Sequence, residues 1–250
     1  MMIFSGMVTF LKLTGWAVGG LLSTAFIYET GLYKIVRWKK VKTIDTFLGS
    51  PEHATVLGIT QNGKTFPSLK SMVRVKDRAG IFFNVQDVSV PKGFVDVNVR
   101  ENEWEQIERL LEKKRKINWI PSTDPDEMQK EVIYLINKLY NGKVRNVIVA
   151  IDEVHLLEKQ SLKACIKLAT TGIRWGLYGV FISQRPAKVD NTLYSQSTKH
   201  ILFNLSNVDY KYLENQAFPS NEIKDIVKGE KFVFAVYDQK EVTGAYTIEL

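Results

Sequence analysis

One segment constrains this chain more than any other. Residues 58–65 have the sequence Gly-Ile-Thr-Gln-Asn-Gly-Lys-Thr and fit the spacing G-x-x-x-x-G-K-[ST]. Glycines let such a loop curl until successive backbone N–H groups point inward, where they can hold phosphate oxygens. An apolar run at 54–58 precedes the loop and a helix-like stretch to about residue 75 follows it, so a helix N-terminus adds its positive end. An ordinary glycine-rich turn is the alternative.

The loop chemistry assigns roles to individual residues. Lys64 would reach the β- and γ-phosphates of a nucleotide, and the Thr65 hydroxyl would ligate magnesium. We therefore expect ATP and Mg²⁺ as ligands. The residues predicted to contact the nucleotide are Gly58, Thr60, Gln61, Asn62, Gly63, Lys64 and Thr65.

Short apolar runs alternate with helix-like stretches along the rest of the chain. Strands separated by helices require parallel crossovers, so the pattern predicts a three-layer α/β domain with a mainly parallel central sheet. The last part of the chain has hairpin character. The predicted strands are 54–58, 80–85, 94–99, 117–121, 147–151, 179–183 and 200–203; the predicted helices are 104–116, 124 to about 140 and 160–170; the hairpin pairs 231–237 with 242–248.

Two acidic residues follow the most apolar of these runs. Residues 147–151 are all apolar, as in a strand covered on both faces, and Asp152 and Glu153 come directly after them. The carboxyl edge of such a sheet is where open α/β folds bind ligands. Asp152 would hold magnesium, and Glu153 would polarise the attacking water. The alternative is that the strand simply ends in acidic residues, as many strands do.

A polar group also ends the next predicted strand. Gln184 follows residues 180–183 and could hydrogen-bond the γ-phosphate and the attacking water. Arg174 precedes the same strand, and we expect it near the same sheet edge. The alternatives are that Gln184 caps a strand and that Arg174 is a solvated loop charge. If Arg174 is only a surface charge, Arg185, directly after Gln184, is the next candidate for a functional arginine. His155 is either a nucleotide contact or a polar residue at a helix start.

The chain resembles the FtsK/HerA superfamily of P-loop ATPases in four consecutive features. These are the phosphate loop, the apolar strand that ends in Asp-Glu, the turn with Arg174, and the strand that ends in Ser-Gln-Arg-Pro. The resemblance covers roughly residues 54 to 237, and its most specific parts are 151–153 and 184–186. It implies a RecA-like fold and an enzyme that uses ATP to pump DNA. It also implies nucleotide and magnesium binding by Lys64 and Thr65, and hydrolysis by Asp152 and Glu153.

The same resemblance gives Gln184 the role of sensor and Arg174 that of a catalytic arginine acting on the adjacent subunit. The chain lacks the separate DNA-orienting domain and long insertions of the larger cellular members. Its size is similar to that of viral genome-packaging ATPases. Packaging is therefore the expected function, with filamentous-phage-type virion extrusion as an alternative within the family. A slow nucleotide-dependent membrane switch or scaffold is the alternative outside translocation.

Composition limits the other possibilities. A single cysteine, Cys165, excludes an internal disulfide, and three histidines make a zinc cluster a poor fit. The net charge is +7, but residues 1–49 carry six basic and two acidic side chains, so the remaining chain holds only +3. A uniformly basic nucleic-acid binder is thereby excluded, and any DNA contact must come from local loops or from assembly.

The N-terminal segment predicts a membrane anchor. Residues 13–28 carry no charge, and the span can start near Ile3 if Lys12 snorkels. Five basic residues follow between Lys34 and Lys42, which predicts a single-pass protein with its downstream domain on the cytoplasmic side, or inside a virion membrane. A buried amphipathic helix and a cleaved signal peptide are the alternatives. The predicted organisation is an anchor with a basic flank at 1–40, a linker at 41–53 and an ATPase domain at 54–250.

The expected partners follow from this organisation and from the resemblance. They are double-stranded DNA, the membrane, further copies of this chain in a ring that we expect to be hexameric, and virion or portal proteins. Among these, only the membrane is predicted from the residues themselves.

Overall fold

A computed structural model describes residues 24–29, 32–37, 41–59, 63–98, 104–228 and 232–248. The chain divides into two compact units, residues 1–40 and 41–250. In the first unit, strands β1 (Thr24–Glu29) and β2 (Leu32–Arg37) pair antiparallel, with Thr24 opposite Arg37.

This hairpin changes the prediction for the N-terminal segment. The last residues of the predicted membrane span, 24–28, belong to β1 instead of a helix. β-Branched and aromatic residues such as Thr24, Phe26 and Ile27 favour strand pairing. The rest of the predicted span lies outside the described residues. Within the described ranges, no helix is both long and apolar enough to cross a membrane.

The described residues of the second unit form one sheet of ten strands. Seven of them, β10, β4, β9, β8, β5, β7 and β6, are neighbours in that order and all parallel, as the alternating pattern predicts. The antiparallel hairpin β11–β12 extends the sheet beyond β10, and β3 completes it. The strands are β3 (Lys42–Thr43), β4 (Ala54–Leu57), β5 (Ala79–Phe83), β6 (Phe94–Val97), β7 (Lys116–Trp119), β8 (Val147–Ile151), β9 (Leu177–Ser183), β10 (Lys199–Leu202), β11 (Phe234–Tyr237) and β12 (Val242–Thr247).

Seven α-helices accompany the sheet in the described part of this unit. The first four match predicted stretches, whereas the last three, which are six to nine residues long, have no counterpart among the predicted helices. They are α1 (Thr65–Arg74), α2 (Trp104–Glu112), α3 (Pro125–Asn141), α4 (Lys159–Thr171), α5 (Asn191–Gln196), α6 (Asn207–Asn215) and α7 (Ser220–Val227).

The sheet separates two apolar cores. Helix α1 packs on one face through Leu69 and Met72, together with Phe47 and Leu48. Helices α2 to α7 cover the other face with a larger cluster that includes Cys165. Residues 41–53, for which the sequence predicts a linker, are therefore part of the packed unit: β3 pairs with β12, and apolar side chains of the segment are buried.

Candidate active site

The loop at 58–65 follows β4 at the carboxyl edge of the parallel strands. The Gly58 N–H donates to the carbonyl oxygen of Ser183 at 3.2 Å, and a Cβ on Gly58 would lie 2.7 Å from Cβ of Phe203. Gly63 has a φ of +75°, and a Cβ there would overlap the Phe232 ring. Both positions therefore require glycine. Three predicted nucleotide contacts, Thr60, Gln61 and Asn62, lie outside the described residues.

Lys64 and Thr65 lie at the start of helix α1. Lys64 is buried, and its backbone carbonyl accepts a 2.7 Å hydrogen bond from the Ser68 hydroxyl. Thr65 is the first helical residue and is half-buried. No acidic side chain occupies the first turn of α1, so the positive end of the helix is available to an anion.

Asp152 is fully buried directly after β8. Neither of its carboxylate oxygens accepts a hydrogen bond of normal geometry from another described residue. Burial, reinforced by the neighbouring Glu153 charge and opposed by Lys64, raises the pKa of Asp152 to about 7. A buried carboxylate without donors is costly unless a cation compensates it. Its oxygens, together with the Thr65 hydroxyl at the head of α1, are the hard ligands that Mg²⁺ prefers.

Glu153 contrasts with Asp152 because nitrogen donors surround it. Oε1 accepts a 2.8 Å hydrogen bond from Gln86 Nε2 and lies 3.4 Å from Lys64 Nζ. Oε2 lies 3.1 Å from His155 Nδ1 and 3.4 Å from the backbone nitrogen of Gln184. Burial alone raises the pKa of Glu153, but the His155 hydrogen bond and the Lys64 charge outweigh it and lower that pKa overall. Glu153 is therefore an ionised carboxylate at neutral pH.

Of these partners, Gln86 is not predicted from the sequence, and His155 has two alternative interpretations there. Gln86 comes three residues after β5, the sheet neighbour of β8, so its loop ends at the same edge as Glu153. His155 contacts both Glu153 and the Ser183 hydroxyl, the latter at 3.2 Å. Strand adjacency could have suggested Gln86, but it is known only once the sheet order is known.

Gln184 and Arg174 lie at opposite ends of β9. Gln184 follows the strand at the carboxyl edge and is half-buried beside Glu153. Arg174 lies in a short 3-10 turn, Gly172–Trp175, that precedes the strand at the amino edge. Seven residues of β9 separate the two edges by roughly 20 Å. The expectation that Arg174 shares an edge with Gln184 is wrong, because a residue that precedes a parallel strand lies at its amino end.

An open cleft adjoins the phosphate loop on the Gln184 side. It has a volume of about 420 Å³, and Arg185 is exposed on its wall. Unlike Arg174, Arg185 thus lies at the edge that carries the candidate site. The other lining residues include Ile59, Gln184, Lys188, Ser206 and Asp209.

Comparison with known proteins identifies the fold. No family model and no curated protein matches the chain. Among solved structures, the genome packaging NTPase B204 from Sulfolobus turreted icosahedral virus 2, in complex with AMPPCP, aligns with a TM-score of 0.59 at 15% identity; the alignment covers 80% of this chain and 100% of that one. The bacterial conjugative coupling protein TrwB aligns with a TM-score of 0.58 at 11% identity over 84% of this chain and 89% of that one. The chain has the fold of the FtsK/HerA-like P-loop ATPases.

A second B204, described as the DNA-packaging ATPase of Sulfolobus turreted icosahedral virus, aligns with a TM-score of 0.57 at 14% identity over 81% of this chain and 100% of that chain. The resemblance predicted from the motifs is thus confirmed at the level of fold. Identities this low leave the role of each site residue to the local geometry. That geometry brings Gly63, Lys64, Asp152, Glu153 and Gln184 to one edge of the sheet.

Proposed function

We propose that this chain is an ATPase that couples ATP hydrolysis to the translocation of double-stranded DNA during viral genome packaging. The observation that carries the proposal is the 3.4 Å contact between Lys64 Nζ and Glu153 Oε1 at the head of helix α1. It puts the Lys64 ammonium and the ionised Glu153 carboxylate beside one loop. Such a pair fits phosphoryl transfer to water, which requires phosphate charge to be neutralised and a proton to be accepted.

The residues would divide the chemistry as follows. Backbone N–H groups of the loop and the Lys64 ammonium hold the phosphates. Thr65 and Asp152 would hold Mg²⁺, which would offset the negative charge of the nucleotide phosphates. Glu153 accepts the proton of the water whose oxygen bonds to the γ-phosphorus, while the bond from that phosphorus to the bridging oxygen breaks. Gln184 orients this water.

Several observations support DNA packaging as the process that this reaction drives. The chain aligns with two proteins described as packaging enzymes, and the alignment covers each of them completely. The chain also aligns, over a similar share of its length, with a bacterial conjugative coupling protein. We propose that the active form is a homo-oligomeric ring, which we expect to be hexameric. We also propose that this ring binds virion or portal proteins.

Turnover by the full-length protein tests this proposal. Lys64→Ala should weaken nucleotide binding, whereas Glu153→Gln should keep binding and lower phosphate release by about 10²-fold or more. Glu105→Gln, an exposed change of the same chemistry on α2, is the matched control. Unchanged turnover in Glu153→Gln would refute the assignment of the base. Wild-type turnover that double-stranded DNA fails to stimulate would favour the slow switch over a translocase.

We also propose that the chain is anchored in a membrane through residues that precede β1. The basic residues between Lys34 and Lys42 support a cytoplasmic catalytic unit. Full-length protein should then sediment with membranes after high-salt and alkaline washes. Complete release by high salt alone would indicate surface attachment instead.

A further inference from the structure

The sheet sorts the exposed charges of the second unit between its two edges. Loops that precede β6, β7, β5, β8 and β9 all lie at the amino edge because these strands are parallel. The exposed acidic residues in these loops are Asp77 and Glu112. The loops are residues 76–78, 92–93, 112–115, 142–146 and 173–176. The exposed cations, which define what we call the amino-edge surface, are Lys76, Lys92, Lys113, Lys114, Arg115, Lys143, Arg145 and Arg174.

Backbone hydrogen bonds join four of these loops into one surface. The Val147 N–H donates to the Gly176 carbonyl at 2.8 Å, Ala79 N–H to Asn146 at 3.1 Å, and Gly80 N–H to Arg115 at 3.1 Å. The five strands are consecutive neighbours. At a strand spacing of about 4.8 Å, the surface is roughly 19 Å wide.

These cations have no anionic partners within the described part of the chain. None of the eight forms a salt bridge with another described residue. Helices α1 to α4 end at this edge, and a helix C-terminus favours a nearby cation. The interaction with a helix C-terminus explains one cation at each helix end, but it does not explain the three consecutive cations at residues 113–115.

The carboxyl edge carries exposed charges of both signs. Arg185 and Lys188 are exposed there, but acidic residues also follow the parallel strands, in addition to Asp152 and Glu153. The amino edge, where exposed cations clearly outnumber acidic residues, is therefore the edge that attracts a long polyanion more strongly, although the domain's net charge is small. These acidic residues are Asp87, Asp124, Asp126, Glu127, Asp190 and Asp209.

We infer that the amino-edge surface binds the phosphate backbone of double-stranded DNA. The inference rests on the proposed function, for which it names the DNA-contacting surface. A width of roughly 19 Å exceeds the major groove of about 12 Å, so the cations can contact phosphates of both strands. Because lysines at loop tips neutralise phosphates without reading bases, binding is independent of sequence and weakens with salt.

An anionic membrane is the competing partner of the same charge. The exposed large apolar side chains on this surface are Ile173 and Trp175, both in one turn. The Trp175 ring already contacts the Arg145 guanidinium at 5.1 Å and the Tyr140 ring at 5.9 Å. Two apolar side chains, one of them engaged within the protein, give a bilayer little to bury, and the observations favour DNA.

Charge reversal in full-length protein tests the inference. The triple variant Lys76→Glu, Arg115→Glu and Lys143→Glu changes three loops of the amino-edge surface. The matched control Lys163→Glu, Lys211→Glu and Lys240→Glu changes the same net charge at exposed positions outside it. Anisotropy of a fluorescent duplex, measured without nucleotide between about 50 and 200 mM salt, gives affinity and salt slope.

We expect the amino-edge variant to bind duplex at least about tenfold more weakly, with a logarithmic salt slope reduced by about 2.7 for three lost phosphate contacts. The control should change affinity less than about threefold, and both variants should retain wild-type hydrolysis without DNA. Equal losses in the two variants, or none in the first, would overturn the inference. The milder variant Lys76→Gln, Arg115→Gln and Lys143→Gln provides the same comparison if the reversal fails to fold.

Two further outcomes are distinguishable. Vesicles with about 30% phosphatidylserine in phosphatidylcholine, compared with phosphatidylcholine alone, test an anionic membrane as partner. The comparison discounts insertion of the proposed anchor, which does not depend on phosphatidylserine. If the amino-edge variant lost the phosphatidylserine-dependent binding and retained duplex binding, the inference would be overturned in favour of a membrane surface. Failure of the wild-type protein to hydrolyse ATP would refute the proposed function, but the duplex titration would still show whether this surface binds DNA.

Discussion

The side-chain amide of Gln86 donates a 2.8 Å hydrogen bond to Oε1 of Glu153, across the edge between neighbouring strands β5 and β8. Glu153 itself has a left-handed backbone, with φ of +46°, at the point where β8 ends. A carboxylate on such a turn can rotate unless it is held. Gln86 on one oxygen and His155 on the other fix its orientation, which makes Gln86 a positioning residue for the base.

Gln86→Ala should therefore lower kcat by roughly tenfold or more and leave KM nearly unchanged, since a hydrogen bond to a charged group contributes about 1.5–3 kcal/mol. Loss of the donor also raises the pKa of Glu153, so the acid limb of the pH–kcat profile should move to higher pH. The exposed Gln106→Ala change on α2 is the control. A lower kcat with an unmoved acid limb would indicate a structural defect instead.

Asp152 makes the stability of the ligand-free protein depend on pH. Its pKa is about 7 in the folded chain against an ordinary value of 3.8. Between these values the folded state binds more protons than the unfolded state, so the free energy of unfolding contributed by Asp152 falls as pH rises from about 4 to 7. Above pH 7 the loss is complete.

Asp152→Asn removes the titrating carboxyl group, so the free energy of unfolding no longer falls with rising pH on its account. Without nucleotide and magnesium, the variant should exceed the wild type in Tm by at least about 3 °C at pH 8, and the difference should nearly vanish at pH 4. The exposed Asp225→Asn change should show no such trend. With a non-hydrolysable ATP analogue present, addition of magnesium should raise the Tm of the wild type further but change that of Asp152→Asn much less, because the loop and Lys64 still bind the phosphates in the variant. A Tm difference independent of pH would contradict this account.

Much of the site could be predicted because it depends on local sequence. A strand covered on both faces is a continuous apolar run, so Val147–Ile151 was predicted with the bounds that the structure has. The acidic pair then had to lie at its carboxyl end. Gln86 could not be found this way, since its contact with Glu153 depends on β5 and β8 being neighbours. The net charge likewise does not reveal that exposed cations are concentrated at the amino edge, because it sums all charges regardless of their position.

Phe232 is another contact that sequence order could not show. Its ring, just before β11, occupies the space that a Cβ on Gly63 would need. Gly63→Ala should lower both Tm and ATP affinity, because the ring and the left-handed backbone both oppose a side chain. In a Phe232→Ala background, the part of the Gly63→Ala destabilisation that comes from the clash with the ring disappears. A penalty of about 1–2 kcal/mol for the left-handed backbone remains.

A double-mutant cycle measures this relationship. The two changes should be coupled by about 1 kcal/mol or more in stability. Additive effects would mean that Phe232 does not restrain the phosphate loop. A matched control is Phe66→Ala paired with Gly63→Ala, since the Phe66 ring lies in the first turn of α1, where it packs against Lys70.

The last prediction concerns the cation that a neighbouring subunit would supply. Charge on a transferring phosphoryl group is stabilised by an arginine beyond Lys64 and magnesium, with an effect of about 10³-fold or more in enzymes that use one. Arg174 lies at the amino edge, roughly 20 Å along β9 from the candidate site. Arg185 is exposed at the carboxyl edge, on the cleft beside the phosphate loop. We expect the carboxyl edge, where the nucleotide would lie, to face the neighbouring subunit in the ring, so Arg185→Ala should reduce turnover at least about tenfold more than Arg174→Ala, with nucleotide binding retained in both.

Mixed subunits test whether the arginine acts between protomers. Arg185→Ala and Glu153→Gln subunits should each be nearly inactive alone. When mixed, an intact Glu153 site can receive Arg185 from its Glu153→Gln neighbour, so part of the turnover should return in a head-to-tail ring. Complementation by Arg174→Ala in place of Arg185→Ala would restore the original assignment of Arg174. Mixed rings that form but stay inactive in both combinations would show that neither arginine is supplied across the interface, and the ring would then have to stabilise the transferring phosphoryl group with cations of a single subunit.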